Sequence, residues 1–218
     1  MLKLKQNSLI QDKEFLTTSA VILVCLLLLL AFPSENSAQN ITKSFFFLVL
    51  LPVLYIKFIL KKNLSEYGLN TNNKKSGIAW GVFGLAFSLA VFYSLINYTN
   101  LSANYVLPSY VINDFRFFLL YELTLVLFFL FINEFFWRGF VLFTLSKKLF
   151  WLSVPAQALI YLALAAITKT SLWQLTPYLI LSVTSGIVAY KTKSIAFSIA
   201  AGMLFFIISD SYLIYILK

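Results

Sequence analysis

The sequence predicts an all-α, polytopic membrane helix bundle of about seven transmembrane helices, with its N-terminus on the cytoplasmic side. Three observations lead there. The chain is 61% hydrophobic and only 11% charged, whereas a soluble domain carries about 25% charged residues. Its apolar residues fall into runs long enough to cross a hydrocarbon core of ~30 Å. Its lysines gather in alternate connections between those runs. Too little polar surface is available to cover a water-exposed exterior, so lipid is the expected solvent.

The runs follow in order. Residues 17–32 form the first, through a leucine-rich stretch that Pro33 stops. Residues 44–60 form the second. A lysine- and asparagine-rich connection leads to the third, residues 78–98. Residues 101–113, polar and holding Pro108, read as a loop. The fourth spans 116–145; 30 residues of helix reach ~45 Å, so it tilts or protrudes. The fifth and sixth cover 151–167 and 172–190. The seventh starts near Ser194 and either continues to Leu217 or breaks near Ser209 and Asp210. The first two helices (1–65) read as an N-terminal pair, and 66–218 as the core.

With the N-terminus inside, alternation places Lys3, Lys5, Lys13, Lys61, Lys62, Lys74, Lys75, Lys147, Lys148, Lys191 and Lys193 on the cytoplasmic side. Only Lys43, Arg116, Lys169 and Lys218 fall opposite, as the positive-inside rule requires. The net charge of +9 is therefore a topology signal and not a nucleic-acid footprint; no basic stripe with exposed aromatics accompanies it. Basic residues before a short apolar run resemble a signal peptide, but Asn36-Ser37-Ala38 is a poor cleavage site, so a retained first helix is expected. Sequons at Asn40, Asn97 and Asn100 fall on the outer side. Size and an AT-rich codon-like bias favour a bacterial cytoplasmic membrane.

Ionisable groups inside spans are costly and usually paired or functional. Glu122, Glu134 and Arg138 qualify, all on the fourth helix. Glu134 and Arg138 share a face at i,i+4 and can pair, which reduces the cost of burying either. Such a pair serves equally as interhelical glue. Asn133 is turned about 100° away from Glu134. Glu122 and Asp210 lie toward the outer ends of their helices. The chain has no histidine and one cysteine, Cys25. That excludes a disulfide within the chain, a Ser/His/Asp or Cys/His nucleophile, and a zinc site of the usual kind. No cofactor and no metal are expected, and no Gly-rich phosphate loop is present.

The block Asn133-Glu134-Phe135-Phe136-Trp137-Arg138-Gly139 resembles the first motif of the CPBP family, the CAAX prenyl endopeptidases and bacteriocin-processing (Abi-like) membrane proteins. That motif is two glutamates, three residues, then arginine. Glu66-Tyr67-Gly68-Leu69 is similar to the approach to the family core, and Gly186 to Ile195 to its connection into the last motif helix. The resemblance implies a glutamate that activates water, histidines on two further helices, and an asparagine or aspartate one turn after the second. Asn133 stands where the first glutamate is expected. The second motif falls on Tyr161 and Ala165, the third on Gly202 and Phe206, and none of these positions holds a histidine.

Glu134 and Arg138 are what remain. Peptidase chemistry needs a placed base and a donor for the developing oxyanion, so the chain is expected to be a CPBP-like protein without catalysis. It would act by binding a membrane peptide or partner protein. Two alternatives stay open: a divergent CAAX-type endopeptidase using Glu134, helped by Asn133 or Tyr161, and a small transporter or channel subunit with Glu122, Glu134 and Arg138 along a polar path.

Overall fold

A computed structural model describes residues 2–105 and 107–217, with side chains over 12–105 and 107–216. Lys3, Lys5 and Lys218, counted in the lysine distribution above, have side chains outside that set. The long helices are α1 (Leu2–Ala31), α2 (Ser37–Ile59), α3 (Lys74–Tyr98), α4 (115–149), α5 (Ser153–Ile167), α6 (Leu172–Thr192) and α7 (Ala196–Leu217). α2 begins seven residues before the expected position, at an Asn36 cap whose side chain accepts from Gln39 N. α7 is continuous through Ser209 and Asp210. The 101–113 connection is not a plain loop: two short helices, Leu101–Asn104 and Ser109–Asn113, press Leu101 and Val111 into the bundle.

Among the described residues six stretches are long and apolar enough to cross a membrane, against about seven expected. The difference is the stretch Phe115–Ile167, 53 residues long. A straight helix of that length would reach about 80 Å, more than twice the core thickness. Phe150, at φ 52° and ψ −127°, turns the chain, and α5 packs back on α4 with the Trp137 and Tyr161 rings 5.2 Å apart. The expected fourth and fifth helices are the two arms of this hairpin.

Phe150 is solvent- or lipid-exposed and holds a backbone conformation that L-residues rarely adopt. Phe150→Gly is therefore expected to raise stability by about 1–2 kcal/mol, read as a higher unfolding midpoint in detergent. An unchanged or lower midpoint would mean that the turn carries no strain.

α4 runs through the centre. Phe135, Phe136, Trp137 and Phe140 pack with Cys25 of α1, Ile56 of α2 and Tyr67 in one apolar cluster. Leu130 joins Phe92, Leu181, Phe205, Phe206 and Leu213 in the other. Leu23, Phe58, Phe83 and Leu204 face outward, as helices solvated by lipid allow. α3 meets α6 and α7 along a stripe of Gly77, Gly81, Gly84 and Ser88, all buried. Small residues let backbones approach closely where lipid supplies no hydrophobic drive. Ser88 Oγ donates to Thr184 Oγ1 at 2.8 Å across that contact. At one end of the bundle Glu14 of α1 bridges Lys62 and Lys147 at 2.6 and 2.8 Å, and Lys148 pairs with Asp12. These pairs are partly exposed and contribute little each, but they bring the ends of α1, α2 and α4 together.

Candidate functional site at the α4–α7 seam

Glu134 opens a nine-residue π-helical stretch of α4, Glu134–Leu142, every residue of which is buried. Such wide turns are rare and recur at functional sites. Glu134 is 0% exposed and Arg138 3%. Arg138 Nε stands 3.4 Å from Glu134 Oε1, and Ser198 Oγ of α7 donates to Glu134 Oε2 at 2.6 Å. Ser185 of α6 lies close to the same carboxylate. The charge is thus met by one guanidinium and a hydroxyl from another helix, and no surface of it is open to a water-sized sphere.

The three sequence blocks that carry the family resemblance assemble around this point. The Leu64–Tyr67 turn, closed by Asn63 N–H donating to Glu66 Oε1 at 3.3 Å, lies against α4 so closely that a Cβ on Gly139 would come within 2.8 Å of Tyr67 O. Gly68, at φ +88°, accepts from Ile195 N at 2.9 Å. Asn70 Nδ2 donates to Lys193 O at 3.0 Å, and Ser194 Oγ donates to Asn70 O. Gly139 and Gly68 are required here, one for close approach and one for its left-handed backbone. The loop before α3 and the turn before α7 are thereby locked together beside the Glu134–Arg138 stretch.

α4 and α7 then run past each other in antiparallel register. Glu134 meets Ser198. One helical turn on, Gly202 faces Leu130, whose Cδ1 would stand 3.1 Å from a Cβ built there. Val126 and Phe206 follow in the same apolar cluster, with the Phe206 ring 5.1 Å from that of Tyr178. At the far end Glu122 meets Asp210 carboxyl to carboxyl. Polar contacts therefore flank an apolar stretch. Glu122, expected toward the interface, is 0% exposed.

Residues 115–208 match the family model described as type II CAAX prenyl endopeptidase Rce1-like. This segment is similar to that family. The match begins at the start of α4, ends within α7, and takes in Asn133–Gly139, Tyr161, Ala165, Gly202 and Phe206. No curated protein and no solved structure matches the chain.

Within the Rce1-like segment the motif positions differ in what surrounds them. Asn133 turns its amide back to Phe129 O at 2.9 Å, on its own helix, and does not reach Glu134. Tyr161 packs edge-on against Trp137. Ala165 is buried on α5. A histidine at 202 has no room unless Leu130 moves, and Phe206 fills its place with a ring. Among the described residues no group of three or more His, Cys, Asp or Glu could hold a metal ion.

Sequence reasoning passed over Ser198, whose 2.6 Å hydrogen bond links Glu134 to α7. A hydroxyl inside an apolar run is a weak signal, because serine satisfies itself on its own backbone in most helices. It also passed over Gln157, fully buried on α5, whose Nε2 donates to Ser182 O of α6 at 2.5 Å.

Proposed function

We propose that this Rce1-like membrane protein performs no peptide hydrolysis and acts by binding a membrane peptide or partner protein. The observation that carries the reading is the state of Glu134. It is sealed from water, held by Arg138 and Ser198, and has no histidine partner anywhere in the chain. A general base must reach the water it activates. A catalytic site also needs donors aimed where charge develops, and the seam beside Glu134 is instead filled by Leu130, Gly202 and Phe206. In this reading Glu134, charge-balanced by Arg138 on its own helix, holds α4 against α7 through Ser198, Asn133 is a half-buried position satisfied on its own helix, and Tyr161, Ala165, Gly202 and Phe206 are packing positions. The N-terminal pair, 1–65, is an addition to a core of 66–218.

Because the seam is packed, a bound peptide seats elsewhere. A groove of about 850 Å³ opens between α1 and α2, with Leu28, Phe32, Phe46 and Phe47 along it and Glu35 and Lys43 at its edge. Its apolar walls and few polar groups fit a hydrophobic segment with a polar end. With the lysine-rich connections inside, this groove opens to the outer face of a bacterial cytoplasmic membrane.

The test is extraction of the chain in mild detergent after cross-linking, with mass spectrometry of what comes with it. The expected result is one specific membrane protein or peptide retained equally by wild type and by a Glu134→Gln/Arg138→Met variant, and reduced by Phe46→Arg in the groove. A chain that brings down nothing specific, or a partner lost only in the Glu134 variant, would overturn the proposal.

A further inference from the structure

The lysine-rich end of the bundle holds a cavity that the peptide groove, at the opposite end of α1, does not explain. It measures about 370 Å³ and is lined by Glu14 and Phe15 of α1, Lys62 just past α2, and Lys147 and Lys148 near the end of α4. Glu14 Oε1 accepts from Lys62 and Lys147 at 2.6 and 2.8 Å, and Lys148 pairs with Asp12. Three lysines thus face two carboxylates, and Lys57 and Lys61, both exposed, stand on the adjoining chain. Among the described residues each of the three ammoniums spends one N–H in these pairs, and an ammonium has three. The side chains of Lys147 and Lys148 are 40% and 47% exposed. Donors and positive charge are therefore left over in a concave site at the level where the spans end.

A second, apolar hollow of about 340 Å³ lies between α1 and α2, deeper in the span, lined by Val21, Leu51, Leu54, Tyr55, Phe58 and Ile59. Val21 follows Glu14 by seven residues, so the two share a face of α1 two turns apart. On α2 the hollow starts at Ile59, three residues before Lys62, and continues to Leu51, about 12 Å further along the helix. Tyr55, Phe58 and Ile59 belong to the π-helical turn Tyr55–Ile59, a distortion frequent at functional sites.

We propose that these two hollows form one site for an anionic phospholipid, with its phosphate among Lys62, Lys147 and Lys148 and one acyl chain along the α1–α2 hollow. The charge argues for an anionic headgroup, the kind that basic pockets between membrane helices hold. A zwitterionic headgroup brings its own cation into a pocket already cationic, where Glu14 is engaged twice. The hollow argues for a lipid and not a free phosphate: its lining is apolar, and the Tyr55 hydroxyl is already bonded to Thr17 and Thr18. Lipid tails are as apolar as leucine, so a chain gains little by leaving the bilayer for the hollow. The phosphate therefore supplies the affinity, and the hollow fixes where the molecule sits. A bound lipid ties the end of α2 to the end of α4, where the exposed ion pairs alone hold weakly. The site shares no residue with the groove proposed for the peptide, so either can fail alone.

The whole chain, delipidated in mild detergent, is titrated with phosphatidylglycerol, phosphatidylcholine or glycerol phosphate, and the molecules bound are counted by native mass spectrometry. The expected result is one phosphatidylglycerol per chain, at least about tenfold tighter than phosphatidylcholine, and no binding of glycerol phosphate at the same concentrations. Lys147→Gln/Lys148→Gln is expected to weaken binding at least about tenfold. Leu54→Trp, which fills the hollow from an exposed position, is expected to weaken it at least about threefold. Lys191→Gln removes an exposed lysine outside both hollows at the same end of the bundle and is expected to change nothing. Because Lys147 also holds Glu14, Lys148→Gln alone decides if the double variant fails to fold. Equal binding of both lipids overturns the proposal, as does binding undiminished in a folded lysine-pocket or Leu54 variant, or equal loss in Lys191→Gln. Glycerol phosphate bound as tightly as the lipid overturns it in favour of a soluble anion.

Discussion

Arg138→Met is expected to destabilise the bundle by about 3–5 kcal/mol, because it leaves Glu134 buried and unpaired. Methionine fills similar space, so loss of packing contributes little. The ion pair at 3.4 Å, the Ser198 bond at 2.6 Å and the neighbouring Ser185 hydroxyl are the polar contacts around the carboxylate. Once the guanidinium is gone, neutral hydroxyls cannot compensate a charge out of contact with water. Adding Glu134→Gln to the same chain removes that charge and is expected to restore stability to within about 1 kcal/mol of wild type, since residues in direct contact couple strongly. Unfolding midpoints of wild type, both single variants and the double variant in one detergent give the coupling. Additive effects would mean that the two residues do not act as a pair.

Gly84→Leu is expected to separate α3 from α6. A Cβ at Gly84 already falls 2.7 Å from Val188 Cγ2, with Thr184 O at 3.9 Å, and leucine adds three carbons where a single methyl does not fit. Overpacking of this kind costs about 1–3 kcal/mol, and the 2.8 Å Ser88–Thr184 bond is lost with it. Gly81→Ala, whose Cβ would meet only Phe197 O at 3.6 Å, is expected to be nearly neutral. A disulfide between cysteines at 88 and 184, formed in wild-type background and absent with Gly84→Leu, reads the separation directly. Equal effects of Gly84→Leu and Gly81→Ala would contradict a register-specific contact.

What was legible in the sequence follows from the size of each signal. Charges in an apolar run stand out because lipid makes them expensive, so Glu134 and Arg138 were found at once, and the family resemblance was read from the block they define. The register between α4 and α7 was not legible. It depends on Ser198, whose hydroxyl is ordinary in a helix, and on Leu130 facing Gly202, which hydropathy does not distinguish from a lipid contact. Asp210 was noticed, but its pairing with Glu122 lies 88 positions apart in the chain and follows only once Glu134 and Ser198 are known to meet. The glycine stripe on α3 was missed because small residues at three- and four-residue spacing leave an apolar average unchanged. The turn at Phe150 was placed by length and by the Lys147-Lys148 pair; phenylalanine itself gives no sign of a positive φ.

In the proposed reading the Glu134–Arg138 pair, within the segment that resembles the Rce1-like family, is a structural tie and not hydrolytic machinery. The most direct measurement is a comparison of newly formed peptide termini in membranes expressing wild type or the Glu134→Gln/Arg138→Met variant at equal folded amounts. Identical termini are expected in both. A cleavage product present with wild type and absent with the folded variant would contradict it.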